Sequence, residues 1–334
     1  MINAKLKLAE NILDENKVEK KPIRDGYGTG LVKAGQDDQH VVVLCADLTE
    51  STRSLAFRDK FPARFLEIGI SEQNMASVAS GMAAMGKVPF ISSYAMFSPG
   101  RNWEQIRTTI CYNDQNVKIG GAHAGVSVGP DGATHQAIED IAITRVLPNM
   151  TVIVPCDAYE AERATLAAAK KIGPTYIRFA REKTPIITTA ETPFELGKAS
   201  IFWESDAPQV AIIATGAMVY NSIVAAAELE KQGVKAIVLN IHTIKPLDEE
   251  AIVSAAKTAG AVVTAEEHTV LGGLGGAVAE LLSQHVPVPM RFVGVLDMFG
   301  TSGDPDDLLK AFHLMPDDIV RAVKDVLRLK QNAL

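Results

Sequence analysis

The chain is poor in the residues that mark secreted, membrane and nucleic-acid-binding proteins. Its 334 residues include three cysteines (Cys45, Cys111 and Cys156), widely spaced and in no Cys-x-x-Cys pair. Disulfide frameworks and thiol metal sites need paired spacing, so the expectation is reduced, buried thiols in a cytoplasmic protein. Basic residues are outnumbered, 33 Lys and Arg against 40 Asp and Glu, and form no block. Nucleic acid is therefore not an expected partner. No apolar run approaches membrane-spanning length, and the N-terminus carries lysines and acids rather than an apolar signal core, so no membrane association is expected. Aromatics are scarce, at 6% with two Trp, so Phe97 and Trp103 on one aromatic stretch stand out.

What is present is apolar residue, 47% of the chain, arranged in short strands alternating with helical segments. Strands are expected at 41–48, 65–69, 88–94, 117–121, 151–154 and 175–179, and helices near 72–85, 100–113, 137–145 and 158–172. Nearly continuous apolar strands separated by helices imply a mostly parallel sheet covered on both faces. The stretch Lys183–Leu196, rich in Thr, Pro and Glu, reads as a linker. Alternation then restarts, with strands at 210–215, 236–240, 261–265 and 291–295 and helices near 218–231, 248–258, 273–284, 305–312 and 316–330. The expectation is two doubly wound α/β domains, residues 1–190 and 191–334. Residues 1–15 read as an amphipathic helix, followed by a polar connector.

Candidate chemistry gathers in the first domain. In Arg64-Phe65-Leu66-Glu67-Ile68-Gly69-Ile70-Ser71-Glu72-Gln73-Asn74-Met75 a short strand and a glycine turn lead into a helix of small residues. Taken alone, Glu72 is an ordinary first-turn acid that suits the helix dipole. Its company argues for more. His123 follows an apolar strand, and Asp131 and His135 lie on Gly129-Pro130-Asp131-Gly132-Ala133-Thr134-His135-Gln136. Two histidines and an aspartate on one loop suit hydroxyl recognition and proton transfer. Asp47 and Ser51 lie at the end of a strand, where parallel sheets place ligands. Arg24 and Arg181 carry forks that suit phosphate oxygens.

Together these pieces resemble the C-terminal half of transketolase. Gly-x-x-Glu before a polar pair and Met matches Gly69 to Met75, and His-x7-Asp-Gly-x-Thr-His-Gln matches His123 to Gln136 in every polar position. The usual Arg-Glu-His-Ala-Met reads Ser-Glu-Gln-Asn-Met here. The resemblance implies a pyrimidine-binding thiamine-diphosphate fold followed by a transketolase C-terminal-type domain. It implies thiamine diphosphate as cofactor, with Glu72 on the aminopyrimidine and Phe97 stacked on that ring. Asp47, Leu48, Ile70, Arg101 and Trp103 would complete the cofactor contacts. Glu72, His123 and His135 would be catalytic, and Arg24, Ser51, His123, Asp131, His135 and Arg181 would hold a phosphorylated sugar.

One family signature is absent. Thiamine enzymes hold a divalent metal through Gly-Asp-Gly, and no Gly-Asp-Gly occurs in this chain. No metal ligands are therefore assigned to it. The resemblance implies a split transketolase, with Mg²⁺ or another divalent metal held by an N-terminal, diphosphate-binding partner subunit. Homodimerisation through the pyrimidine-binding domain would give an α2β2 assembly. A 2-oxo acid dehydrogenase β subunit shares the two-domain plan, but the Asp-Gly-x-Thr-His-Gln loop argues against it. Deoxyxylulose-phosphate synthase shares that loop but usually has aspartate at the place of His123.

Overall fold

The computed structural model describes residues 1–332. Among the described residues, fourteen strands fall into three sheets. In chain order they are β1 (Lys20–Pro22), β2 (Val41–Cys45), β3 (Phe65–Glu67), β4 (Val88–Tyr94), β5 (Lys118–Ala122), β6 (Thr151–Ile153), β7 (Thr175–Phe179), β8 (Lys183–Pro185), β9 (Ser200–Trp203), β10 (Val210–Ala214), β11 (Ala236–Asn240), β12 (Thr243–Lys245), β13 (Val262–Thr269) and β14 (Met290–Val295). The larger sheet has the order β12-β6-β7-β5-β4-β2-β3, parallel apart from β12. The second has the order β14-β13-β10-β11-β9, parallel apart from edge strand β9. In β2, β5, β7, β10 and β11 every residue is buried, as expected for strands covered on both faces. The α/β class and mostly parallel sheets agree with the sequence reading.

Local expectations fail at several places. Strands β9 and β12 and a short helix at Leu55–Lys60 lie outside the expected elements, and the helix expected near 100–113 starts only at Trp103. Three further misses follow. Residues 1–15 form no helix beyond a single turn at Ala4–Leu6. Lys7 and Asn11 take left-handed backbone conformations, and Ile2 bridges to Trp203. The apolar positions of this segment serve the second domain's core, where Ile12 is buried, rather than one face of a helix. The presumed connector contains β1, which pairs antiparallel with β8 in the presumed linker.

The third miss is the helix Ile23–Asp37, which carries Gly26, Gly28, Gly30 and Gly35 and so has weak intrinsic propensity. Its glycines are clearance for neighbours. A Cβ on Gly30 would lie 2.6 Å from Thr165 Cβ on the helix Ala158–Lys170. A Cβ on Gly28 would lie 2.7 Å from Arg53 Cβ. Tertiary packing overrides propensity here.

The two sheets are joined by buried polar contacts. Arg178 on β7 donates from Nε to Asp140 Oδ2 at 2.9 Å and from Nη2 to the Glu267 carbonyl at 2.7 Å. Tyr176 donates its hydroxyl to the same Asp140 oxygen at 2.6 Å. Glu267, on β13, accepts the Ser127 N–H at 2.7 Å and so anchors the loop that precedes Asp131 and His135.

Candidate functional site

The carboxyl ends of β2, β3, β4, β5 and β7 run side by side, and the loops that follow them carry most of the expected site residues. That edge is where open parallel sheets form ligand sites. The register Cys45↔Glu67 brings the loop after β2 against the turn before Glu72. Glu67 ties the two together. Its Oε1 accepts the Asp47 N–H at 2.7 Å and the Gly69 N–H at 3.0 Å, and its Oε2 accepts the Thr49 hydroxyl at 2.8 Å. Asp47 sits there in a left-handed conformation (φ 57°), while Leu48 is half-buried and Ile70 is exposed.

Glu72 opens the helix Glu72–Ala84, and its side chain is 1% exposed. Arg101 donates Nη1 to Glu72 Oε2 at 2.8 Å. Asn102 donates to the Glu72 carbonyl at 3.1 Å and to Ser98 Oγ at 3.1 Å, which locks the segment after β4 onto this helix. The Arg101 guanidinium lies 4.7 Å from the Phe97 ring centre. Phe97 meets the His135 ring edge-on at 5.4 Å, and Tyr94 stacks on His123 at 3.8 Å. Glu72, Arg101, Phe97, His135, Tyr94 and His123 thus form one continuous run of contacts. The sequence reading does not single out Tyr94; its place shows only in this stacking.

His123 is buried, holds a left-handed conformation (φ 56°), and its Nδ1 has no hydrogen-bond partner. Burial first, then the guanidinium charges of Arg24, Arg181 and Arg53, lower its pKa to about 3, so the ring is neutral at physiological pH. His135 Nδ1 lies 2.9 Å from the Thr134 hydroxyl.

An arginine group stands at the far end of this run. Arg24 donates Nη1 to the Ser51 carbonyl at 2.9 Å, while its Nε is buried without a partner. Arg181 donates Nη1 to the Val128 carbonyl at 2.7 Å and lies 3.8 Å from Asp131 Oδ1. Arg53, which the sequence reading passed over, donates Nε to Asp25 Oδ1 at 2.6 Å. The Arg24 pKa is lowered by burial and then by the charge of Arg53. Trp103 stands apart from these contacts. Its indole N–H donates to the Ile143 carbonyl at 2.7 Å, and its ring packs against the core.

Features of the second domain that could imitate a ligand site have structural partners. Glu266 Oε2 accepts the Leu274 N–H at 2.7 Å and Oε1 accepts the Gly275 N–H at 2.8 Å, capping the helix Leu274–His285 after the glycine-rich loop. Among the described residues no group of three or more His, Cys, Asp or Glu could hold a metal ion. No helix of the described residues is long and apolar enough to cross a membrane.

The geometry defines an α/β protein with a polar and aromatic cluster at the carboxyl edge of its first sheet, which is the candidate ligand site. The pattern of the transketolase pyrimidine-binding domain matches residues 19–186, and that of the transketolase C-terminal domain matches residues 197–319. A putative transketolase C-terminal section from Methanocaldococcus jannaschii is 42% identical over 311 residues, 92% of this chain and 97% of that protein. A 6-deoxy-6-sulfo-D-fructose transketolase subunit from Clostridium sp. is 42% identical over 316 residues, 95% of this chain and 98% of that protein. A solved split-gene transketolase, described as an inactive β4 tetramer, superposes with a TM-score of 0.86 at 45% identity, covering 92% of this chain and 99% of that one. The chain belongs to the transketolase family of thiamine diphosphate-dependent transferases.

The site's residues fit that cofactor. Glu72 offers a buried carboxylate with one oxygen committed to Arg101, and Phe97 offers an aromatic ring on the other side of that guanidinium contact. The unpartnered Nδ1 of His123 and Nε of Arg24 are buried polar atoms that a polar substrate would satisfy.

Proposed function

We propose that this chain is the C-terminal subunit of a split transketolase, moving a two-carbon ketol unit between sugars that end in an anionic group. On this reading the pyrimidine-binding domain falls within residues 1–190 and the C-terminal domain within 191–334, with the segment 1–15 packed on the core of the latter. The carrying observation is the unbroken run of contacts from Glu72 through Arg101, Phe97 and His135, with Tyr94 stacked on His123 and arginines beyond. A cofactor end, a reaction centre and an anion end follow one another along a single sheet edge.

Thiamine diphosphate supplies the carbon nucleophile for ketol transfer. The chain's own residues orient and protonate. Glu72, in a desolvated place, would hold the aminopyrimidine and share a proton with it, and Phe97 would supply an aromatic surface for the same heterocycle. Asp47, Leu48 and Ile70, set by Glu67, line the approach. Neutral His123 can accept or donate a hydrogen bond at a sugar oxygen, and His135 faces the same space. Asp131 reads a hydroxyl, while Arg24, Ser51 and Arg181 hold the sugar's anionic end.

A divalent metal, Mg²⁺ among the candidates, and the diphosphate contacts come from an N-terminal partner chain, since this chain carries no Gly-Asp-Gly. The helix Glu72–Ala84 leaves open space around Gly81, and Ile70 and Met85, which flank the helix in sequence, are exposed. Such a surface suits pairing with a second copy in an α2β2 assembly. The relative named as a 6-deoxy-6-sulfo-D-fructose transketolase subunit widens the candidate donors from pentose phosphates to ketoses ending in phosphate or sulfonate. Titrating thiamine diphosphate and Mg²⁺ into this chain, a candidate partner chain and their mixture tests the shared site. Saturable binding only in the mixture supports it, and full-affinity binding by this chain alone contradicts it.

A further inference from the structure

We infer that Arg53 is a specificity-determining residue, the third guanidinium that holds the tetrahedral oxyanion at the substrate's end. This rests on the transketolase reading above.

Four observations converge on it. First, residues 24–25 and 51–53 are cross-linked. Arg24 binds the Ser51 carbonyl at 2.9 Å, and Arg53 Nε binds Asp25 at 2.6 Å. The two guanidinium groups are thereby held on neighbouring anchors. Second, the Asp25 contact uses only Nε, and the Arg53 side chain is 36% exposed, so its terminal nitrogens face solvent-accessible space. A fork fixed at Nε and open at its tip is ready to take an oxyanion. Third, Arg53 has φ 65°, a region that suits glycine, asparagine or aspartate. A long side chain kept at a strained position points to a function for that side chain. Fourth, the helix Ile23–Asp37 has glycine at position 28, where a Cβ would stand 2.7 Å from Arg53 Cβ and 2.8 Å from its carbonyl oxygen. The neighbouring helix makes way for the backbone and Cβ of residue 53, which sets where the Arg53 side chain departs.

The electrostatics agree. Arg53 acts on both Arg24 and His123, disfavouring further positive charge at each. Asp25, Glu182 and Asp131 offset part of this field. An incoming phosphate or sulfonate meets three guanidinium groups carried by three separate segments, a fit that sugars without an anionic end cannot exploit.

The test uses the assembled complex with its diphosphate-binding partner and compares wild type with Arg53→Gln, Arg53→Lys and Arg53→Gly. Donors are xylulose 5-phosphate, a 6-deoxy-6-sulfo-ketose, and xylulose without its phosphate. For whichever oxyanion-terminated donor wild type uses, Arg53→Gln should raise KM about tenfold, the loss of one charge-assisted hydrogen bond, with kcat within about twofold. Arg53→Lys should fall between the two. The unphosphorylated donor should be unaffected. Arg53→Gly relieves the left-handed strain, so its thermal midpoint should equal or exceed wild type while its KM rises as in Arg53→Gln. A purely structural Arg53 gives the opposite pattern, a lower midpoint and equal losses for charged and uncharged donors, and overturns the inference. An unchanged KM with wild-type activity intact overturns it too, leaving the transketolase reading standing. Absence of ketol transfer in wild type removes both.

Discussion

Arg101 Nη1 and Glu72 Oε2 lie 2.8 Å apart, one side chain 46% exposed and the other 1%. A carboxylate taken out of water is costly unless it is paired, and the pairing here comes from one side only. The exposed guanidinium lets the fold accept a buried carboxylate without committing both oxygens. Replacing Glu72 by Gln removes the proton-sharing group but keeps its shape. In the assembled complex Glu72→Gln should lower kcat by about 10²- to 10⁴-fold, the range for a lost acid–base group, with a nearly unchanged thermal midpoint. Rates within threefold of wild type would take Glu72 out of the mechanism.

His123 gives a pH signature in stability. Its folded-state pKa, about 3, lies below the usual value of 6.5 because of burial and the arginine charges. Below pH 6.5 the unfolded chain takes up a proton that the folded chain refuses, so stability falls as pH drops from 6.5 towards 3. The slope from this one group is at most about 1.4 kcal/mol per pH unit. Urea unfolding at pH 7, 5.5 and 4.5 should show a shallower loss for His123→Asn than for wild type. Parallel curves would mean that the imidazole is charged, or exposed, in the folded state.

Glu67 carries a prediction about cofactor affinity. Its carboxylate accepts two backbone N–H groups and one hydroxyl that together set the loops of Asp47 and Ile70. Glu67→Ala should weaken thiamine diphosphate binding to the complex about tenfold, the cost of a charge-assisted hydrogen bond. Glu67→Gln should stay near wild type, since an amide oxygen can still accept both N–H groups that Oε1 now takes. Calorimetric titration measures this directly, and an undiminished affinity in Glu67→Ala contradicts the positioning role.

The sequence revealed the parallel-sheet architecture because its strands are short apolar runs, and β4, β7 and β11 fall at or within a residue of their expected bounds. The site was legible where spacing within one loop carries it, as in His123 to Gln136. It was not legible where the determinant is a contact between distant residues. Arg53 shows no signal until Asp25 and Gly28 are seen against it. Glu67 reads as an ordinary strand-end acid until the β2–β3 register places Asp47 beside it. The glycines of Ile23–Asp37 resemble a loop until the helix Ala158–Lys170 is packed on them. Residues 1–15 mimic a helix because their apolar positions answer to a surface in the second domain, which no local period encodes.

The most direct test of the account is ketol transfer from xylulose 5-phosphate to ribose 5-phosphate with thiamine diphosphate and Mg²⁺. It is run on this chain alone and on its mixture with a diphosphate-binding chain from the same genome. The account predicts turnover in the mixture and none in the chain alone. Turnover by the chain alone would contradict it, because a complete metal and diphosphate site would then have to lie within these 334 residues.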